Sequence, residues 1–177
     1  MKISDRKFLF IDRDGVINKN VGLHKYVLNP NQFKFKTDIF NLLYYLQSFF
    51  SHYIIVTNQQ CVGKKMINIK ELESIHNMML NQFKNKKIII DKIYICQHLE
   101  SDLCECRKPK KGLFIKAIND FNITNIELSN SFMIGDSISD IIPANELNIS
   151  TIFLGRKENN QATYSVKNLK SIKGLFL

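Results

Sequence analysis

Two carboxylates stand two residues apart at the end of an apolar run, Phe8-Leu9-Phe10-Ile11-Asp12-Arg13-Asp14-Gly15. Paired carboxylates suit a hard, oxygen-seeking cation such as magnesium. One can attack an electrophile while the other moves a proton. A bare Asp-x-Asp-Gly also occurs as a plain solvated turn, so the rest of the chain has to decide. Two further apolar runs end in polar groups: Tyr53–Val56 runs into Thr57-Asn58, and Ser131–Ile134 into Gly135-Asp136. Arg107-Lys108-Pro109-Lys110 lies between them. Asp12, Asp14 and Asp136 with a cation and Lys108 would make a phosphate site. The carboxylates hold the cation, and the cation and lysine neutralise phosphoryl oxygens so that an anionic nucleophile can approach. The Thr57 hydroxyl and the Asn58 amide would donate hydrogen bonds to the same oxygens.

A second cluster reads Cys96-Gln97-His98, five residues, then Cys104-Glu105-Cys106. Three thiolates and one imidazole make a closed tetrahedral zinc site with no open position, which is structural usage. It would pin the loop that presents Arg107 and Lys108. His24, His52 and His76 show no partner pattern and read as surface or packing residues, with His24 in a loop that could reach a substrate.

These side chains need a scaffold. Phe8–Ile11, Tyr53–Val56, Lys92–Ile95, Ser131–Ile134 and Thr151–Leu154 read as short buried strands. Between them lie helical patterns from Thr37 or Asp38 to about Ser51, Asn68 to about Asn85, Gly112 to Phe121, and Ser139 to Leu147. Phe33-Lys34-Phe35 reads as a short extended piece, and Tyr164 to Leu177 as a short strand and helix. Strands alternating with helices predict an α/β fold, a parallel sheet between helices, over one domain spanning 1–177. In such sheets ligands bind beyond the carboxyl ends of the strands. Asp12, Thr57 and Asp136 all fall there.

Composition narrows the class. The chain has 177 residues, 45% hydrophobic and 23% charged, as in ordinary globular domains. No apolar run approaches a membrane span, and Met1–Lys7 carries no signal-peptide core. The expectation is a cytoplasmic enzyme, monomeric and without a membrane partner. The net charge is +9, but the basic residues are scattered lysines with only four arginines. No nucleic-acid-binding signature accompanies them, so the expected partner is a small phosphorylated metabolite rather than nucleic acid.

The ordered set Asp12-Arg13-Asp14-Gly15, Thr57-Asn58, Lys108 and Gly135-Asp136-Ser137-Ile138-Ser139-Asp140 resembles the four motifs of the haloacid dehalogenase (HAD) superfamily of phosphotransferases. The resemblance covers about Phe8 to Leu154. It implies a Rossmann-like HAD fold and an aspartyl-phosphate mechanism. Asp12 would be the nucleophile, and Asp14 would protonate the leaving oxygen and then activate water. Asp12, the Asp14 backbone carbonyl and Asp136 would hold Mg2+. Thr57 and Lys108 would hold the phosphoryl group, and Asp140 would orient neighbours or cap a helix.

The zinc loop joined to Arg107-Lys108-Pro109 resembles a capless branch of that superfamily, which contains heptose-bisphosphate phosphatases and histidinol-phosphate phosphatases. The spacings between Asp14, Thr57 and Lys108 leave no room for a cap domain. Asp14–Asn18 and Tyr26–Pro30 look more like the heptose enzymes, while the short Cys/His loop also fits the histidinol enzymes. By resemblance, Arg107 would contact the sugar or its second phosphate, and Asn20, Val21, Gly22 and Leu23 would line the substrate mouth. A different class stays open, a non-enzymatic zinc-stabilised binding module. One departure stands out: the family usually has Gly after the Asn-Gln pair, where this chain has Cys61, which is expected to stiffen or reshape the phosphate loop.

Overall fold

A computed structural model describes residues 6–22 and 26–177. Six strands form one parallel sheet: β1 (Phe8–Ile11), β2 (His52–Asn58), β3 (Lys92–Cys96), β4 (Phe132–Gly135), β5 (Ser150–Leu154) and β6 (Tyr164–Val166). Their spatial order is β3-β2-β1-β4-β5-β6. The central strand β1 pairs with β2 on one side and β4 on the other. The order therefore reverses at β1, and the crevice beyond the ends of β1, β2 and β4 is where such a sheet takes a ligand.

Four residues of β1 are fully buried, and they alternate between two cores. Leu9 and Ile11 pack with Leu42, Leu46, Leu72, Ile75, Met79 and Phe83. Phe8 and Phe10 pack with Leu113, Phe114, Ala117 and Leu128. The first core carries α1 (Ile39–Leu46), α3 (Ile69–Asn85) and α7 (Leu169–Ile172); the second carries α4 (Gly112–Phe121) and α5 (Asn125–Ser129). A strand covered on both faces must be apolar at every position, which is why these runs lack polar alternation.

Between β1 and β2 the described residues form a 3-10 turn (Pro30–Gln32), α1 and an isolated bridge from Asn18 to Phe35 in the short extended piece; between β2 and β3 lie α2 (Gln60–Gly63) and α3. Among the described residues there is no cap over the strand ends. No helix among them is long and apolar enough to cross a membrane.

Some expected boundaries move. Asn68 caps α3 with a reciprocal Glu71 bond, as its spacing predicts. Asp38 does not cap α1: it sits at φ 71 with no side-chain bond to the helix. That helix ends at Leu46 rather than Ser51. Beyond Leu46 the chain tightens into short i→i−3 turns, and the Ser48 hydroxyl donates to the Tyr45 carbonyl. The short helices α2 and α5 lie in stretches too brief for periodicity to reveal.

Candidate active site

Asp12 follows β1 directly, with its backbone N–H donating to Ile134 of β4 at 3.0 Å. That bond carries the carboxylate into the crevice. Lys108 meets it there. The buried ammonium donates to Asp12 Oδ1 at 2.7 Å, to Asp140 Oδ1 at 2.5 Å and to the Val56 carbonyl at 2.8 Å. All three ammonium protons are thus used. Burial opposes the lysine's charge, but Asp12 and Asp140 outweigh it and hold its pKa above the ordinary value.

Asp140 does two things. On α6 (Ile138–Asn145), Oδ2 accepts from the Ser137 N–H at 3.1 Å as part of the helix N-cap, while Oδ1 holds Lys108. Both roles expected of it are met by one side chain.

Asp12, Asp136 and Asp140 each offer an oxygen, and the three lie within 4.8 Å of one another. Burial drives the Asp12 carboxyl up, to about 8, against the pull of Lys108; Asp140, Asp14 and Asp136 push the same way. Asp136 rises to about 6, chiefly by burial and next by Asp140. One lysine does not offset this much negative charge, and an all-oxygen donor set of that sign fits magnesium. Gly15 completes the cradle: at φ 91, a Cβ there would fall 1.8 Å from Asp136 Oδ2.

Asp14 is held apart from these carboxylates. Its oxygens accept from Arg13 Nη2 at 3.0 and 2.8 Å, from Asn18 at 2.9 Å and from Gln59 at 2.8 Å. Burial alone would raise its pKa; the Arg13 charge and the donated hydrogen bonds prevail and lower it. Thr57 is buried at the end of β2, and its Oγ1 accepts from Gln59 Nε2 at 2.8 Å.

Asn58, expected to touch substrate, lines a cavity beside Arg107 and also braces Lys108. It accepts from the Lys108 N–H at 3.1 Å and donates to the Lys108 carbonyl at 3.0 Å. It therefore fixes the backbone that presents the lysine. Arg107 stands beside a cavity of about 410 Å³ lined also by Asn58, Leu103, Lys110 and Ser139, and its Nη1 is buried without a partner. A guanidinium nitrogen left so is ready for an incoming acceptor.

The mouth residues divide. Asn20 Nδ2 donates to Asp136 Oδ2 at 3.0 Å, so it belongs to the carboxylate cluster. Val21 is partly exposed and packs in part against the core on the α3 face. Gly22 is exposed at φ 113. Leu23 and His24 lie outside the described residues.

The second cluster assembles as its spacing predicts. Cys96 approaches Cys104 at 3.6 Å and His98 Nδ1 at 3.7 Å; Cys106 approaches Cys104 at 3.5 Å and His98 at 3.1 Å. Thiolates about 2.3 Å from a shared zinc in a tetrahedron lie roughly 3.7 Å apart. All four donor atoms lie within 4.8 Å of one another, and the cysteines are free. The residues present fit zinc. The loop is stitched to the active site through Gln59 N–H on the Cys96 carbonyl at 2.7 Å and Gly63 N–H on the Gln97 carbonyl at 3.1 Å. The close approach falls on Gly63, where a Cβ would meet that carbonyl at 2.5 Å. Cys61 sits in α2 as a packed thiol with its pKa raised by burial, and is absent from the positive-φ residues.

Sequence reasoning missed Arg13, Gln59, Lys36 and His76 as parts of the site. Lys36 is partly buried near Asp136 and opposes its upward shift. His76, expected at the surface or in packing, is buried on α3 and bonded to Arg13 at 3.1 Å.

A family model described as HAD-hydrolase-like matches residues 105–170. The D-glycero-alpha-D-manno-heptose-1,7-bisphosphate 7-phosphatase of Campylobacter jejuni is 37% identical over 172 residues, covering 96% of this chain and 95% of that protein. This chain belongs to the HAD-like hydrolases. It is a phosphatase of that family. The histidine biosynthesis bifunctional protein HisB of Buchnera aphidicola is 33% identical over 155 residues, but that match spans 88% of this chain and only 43% of HisB. The crystal structure of D,D-heptose 1,7-bisphosphate phosphatase from B. bronchiseptica, complexed with magnesium and phosphate, superposes with a TM-score of 0.83 at 21% identity, covering 96% of this chain and 97% of that one. The HAD fold thus extends over nearly all of this chain.

Proposed function

We propose that this HAD phosphatase removes a phosphate from D-glycero-D-manno-heptose 1,7-bisphosphate. The observation that carries the reading is the end-to-end likeness to the Campylobacter enzyme, set beside a site whose carboxylates converge on one buried lysine. The histidinol-phosphate alternative has less support, because the likeness to HisB covers under half of that protein.

In this reading an Asp12 oxygen attacks phosphorus. The bond from phosphorus to the sugar oxygen breaks, and that oxygen takes a proton from Asp14. Water then attacks the aspartyl-phosphate, Asp14 accepts its proton, and the Asp12–phosphorus bond breaks to free inorganic phosphate. Lys108 steadies the phosphoryl oxygens, and the Thr57 hydroxyl donates to them. Asn58 keeps Lys108 in place. Arg107 takes the sugar or its second phosphate, with Asn20, Gly22 and their neighbours at the mouth. Asp12, Asp136 and the Asp14 backbone carbonyl would hold Mg2+, which when bound supplies neutralising charge at the phosphoryl oxygens. Cys96, His98, Cys104 and Cys106 would hold a structural zinc. Reduced thiols suit a cytoplasmic enzyme, and we take it to act as a monomer.

The test is phosphate release with magnesium from both anomers of the bisphosphate and from histidinol phosphate, side by side. Preference for a bisphosphate by about tenfold or more in kcat/KM upholds the reading. Preference for histidinol phosphate overturns it.

A further inference from the structure

We propose that Gln59 is a positioning residue that keeps the Thr57 hydroxyl a hydrogen-bond donor for the phosphoryl group; this rests on the phosphatase reading above. Gln59 and Thr57 are each 1% exposed. Gln59 Nε2 lies 2.8 Å from Thr57 Oγ1 and 2.8 Å from Asp14 Oδ2. Its backbone N–H is fixed on the Cys96 carbonyl of β3 at 2.7 Å. The other end of the amide, Oε1, faces the Cys61 thiol at 3.7 Å, on the side that a weak S–H donor suits.

A hydroxyl can both give and take a hydrogen bond, and its proton turns toward the best acceptor within reach. A carboxylate beside Thr57 would draw that proton and withhold it from an incoming phosphate. Gln59 stands in the way. Arg13 Nη2 already grips Asp14 Oδ2, so that oxygen accepts and the amide turns its nitrogen toward it. Both Nε2 protons are then committed, one to Asp14 Oδ2 and one to Thr57 Oγ1. Asp14 enters only as a fixed acceptor. Thr57 must accept from the amide, which leaves its own proton pointing elsewhere, and among the described residues that proton has no acceptor. Buried polar groups are nearly always paired, so a spare donor at a strand end calls for a partner that arrives. A phosphoryl oxygen is such an acceptor. The β-branched threonine is stiff at χ1, so the O–H direction is the freedom that remains, and Gln59 sets it.

The phosphoryl group is common to all phosphate esters, so the experiment uses p-nitrophenyl phosphate with the intact enzyme and magnesium. It moves to the heptose bisphosphate if the parent does not turn over the aryl ester. The cycle compares Thr57→Val, Gln59→Met and the double variant. Thr57→Val keeps shape and removes the hydroxyl; Gln59→Met keeps length and removes the donor. Thr57→Val is expected to lower kcat/KM about a hundredfold, the usual cost of losing one donor to a developing oxyanion. Gln59→Met should lower it about tenfold when Thr57 is present, but no more than about twofold in the Thr57→Val background. A residue that only braces the fold, or that acts only through Asp14, would cost the same factor in both backgrounds, and that result would overturn the proposal. So would a Thr57→Val variant as active as the parent. Gln59→Asn, whose shorter amide does not reach both Thr57 and Asp14, runs the same cycle with the same expected outcomes if Gln59→Met is too unstable to assay. Either reversal leaves the phosphatase reading standing. A parent enzyme that releases no phosphate from either ester would instead overturn that reading and the proposal together.

Discussion

Lys108 Nζ lies 2.7 Å from Asp12 Oδ1 and 2.5 Å from Asp140 Oδ1, so one buried cation ties β1 to the helix that follows β4. Asp12 comes from the end of β1, Asp140 from the helix after β4, and the lysine's third acceptor is Val56 within β2. The lysine is in turn gripped through its own backbone by Asn58. Strand order thus sets the distances on which the chemistry depends.

Asp12→Asn should abolish turnover, by at least about a thousandfold, because an amide oxygen is no nucleophile at phosphorus. The protein should still fold. Burial and neighbouring carboxylates raise the Asp12 pKa, so its charge is unfavourable in the metal-free protein. The neutral isostere should melt at the same temperature or higher without magnesium. Phosphate release and thermal melting of the metal-free protein check both halves.

Lys108→Met should do the opposite to stability. It leaves Asp140 buried without its cation and removes the one charge that offsets the burial of Asp12. Removing one partner of a buried pair costs about 3 to 5 kcal/mol. Denaturant melts should show that loss, and kcat should fall about a hundredfold or more. Added magnesium should recover part of the stability but not the rate.

The sequence carried the strand ends because buried parallel strands are continuous apolar runs and the polar residue after each run is conspicuous. Asp12, Thr57 and Asp136 were legible for that reason, the Cys/His loop was legible from its ligand spacing, and Lys108 from the basic stretch directly after it. The support around them was not. Asn58 looked like a substrate contact because its amide chemistry fits a phosphate, and only the fold shows it facing Lys108. Arg13 and His76 were hidden in a different way. Arg13 shares the parity of Leu9 and Ile11, which points toward α3, and His76 lies one residue past Ile75 on the stripe that faces the sheet. Each signal is weak alone, and their meeting requires knowing which helix covers which face. The end of α1 was missed because Ser48 competes for a helix carbonyl, a local bond that periodicity does not register.

Metal analysis of freshly purified protein should find about one zinc per chain, held by the four-donor set. Cys104→Ser should lower zinc content and loosen the loop that carries Lys108, since Gln59 and Gly63 tie that loop to β2 and α2. Strong chelation should cost activity that magnesium alone does not restore, while zinc followed by magnesium does. Full activity in a zinc-free protein would show that the loop stands without metal.

His76 gives a pH test of stability with a definite sign. Its pKa in the folded protein is pushed down to about 3, below the ordinary value of 6.5, by burial first and Arg13 second. Between those values the unfolded chain binds a proton that the folded protein refuses. The stabilising contribution is therefore complete above about pH 6.5 and is lost as pH falls toward 3. From pH 7.5 to 5 the loss from this one group amounts to about 2 kcal/mol. Other carboxylates titrate in the same range, so the comparison is with His76→Gln, which cannot take up the proton. Urea melts of both proteins at the two pH values should show the parent losing about 2 kcal/mol more than the variant. Parallel losses would mean that His76 is protonated in the folded state, and the hydrogen bond from Arg13 Nη1 would then have no acceptor.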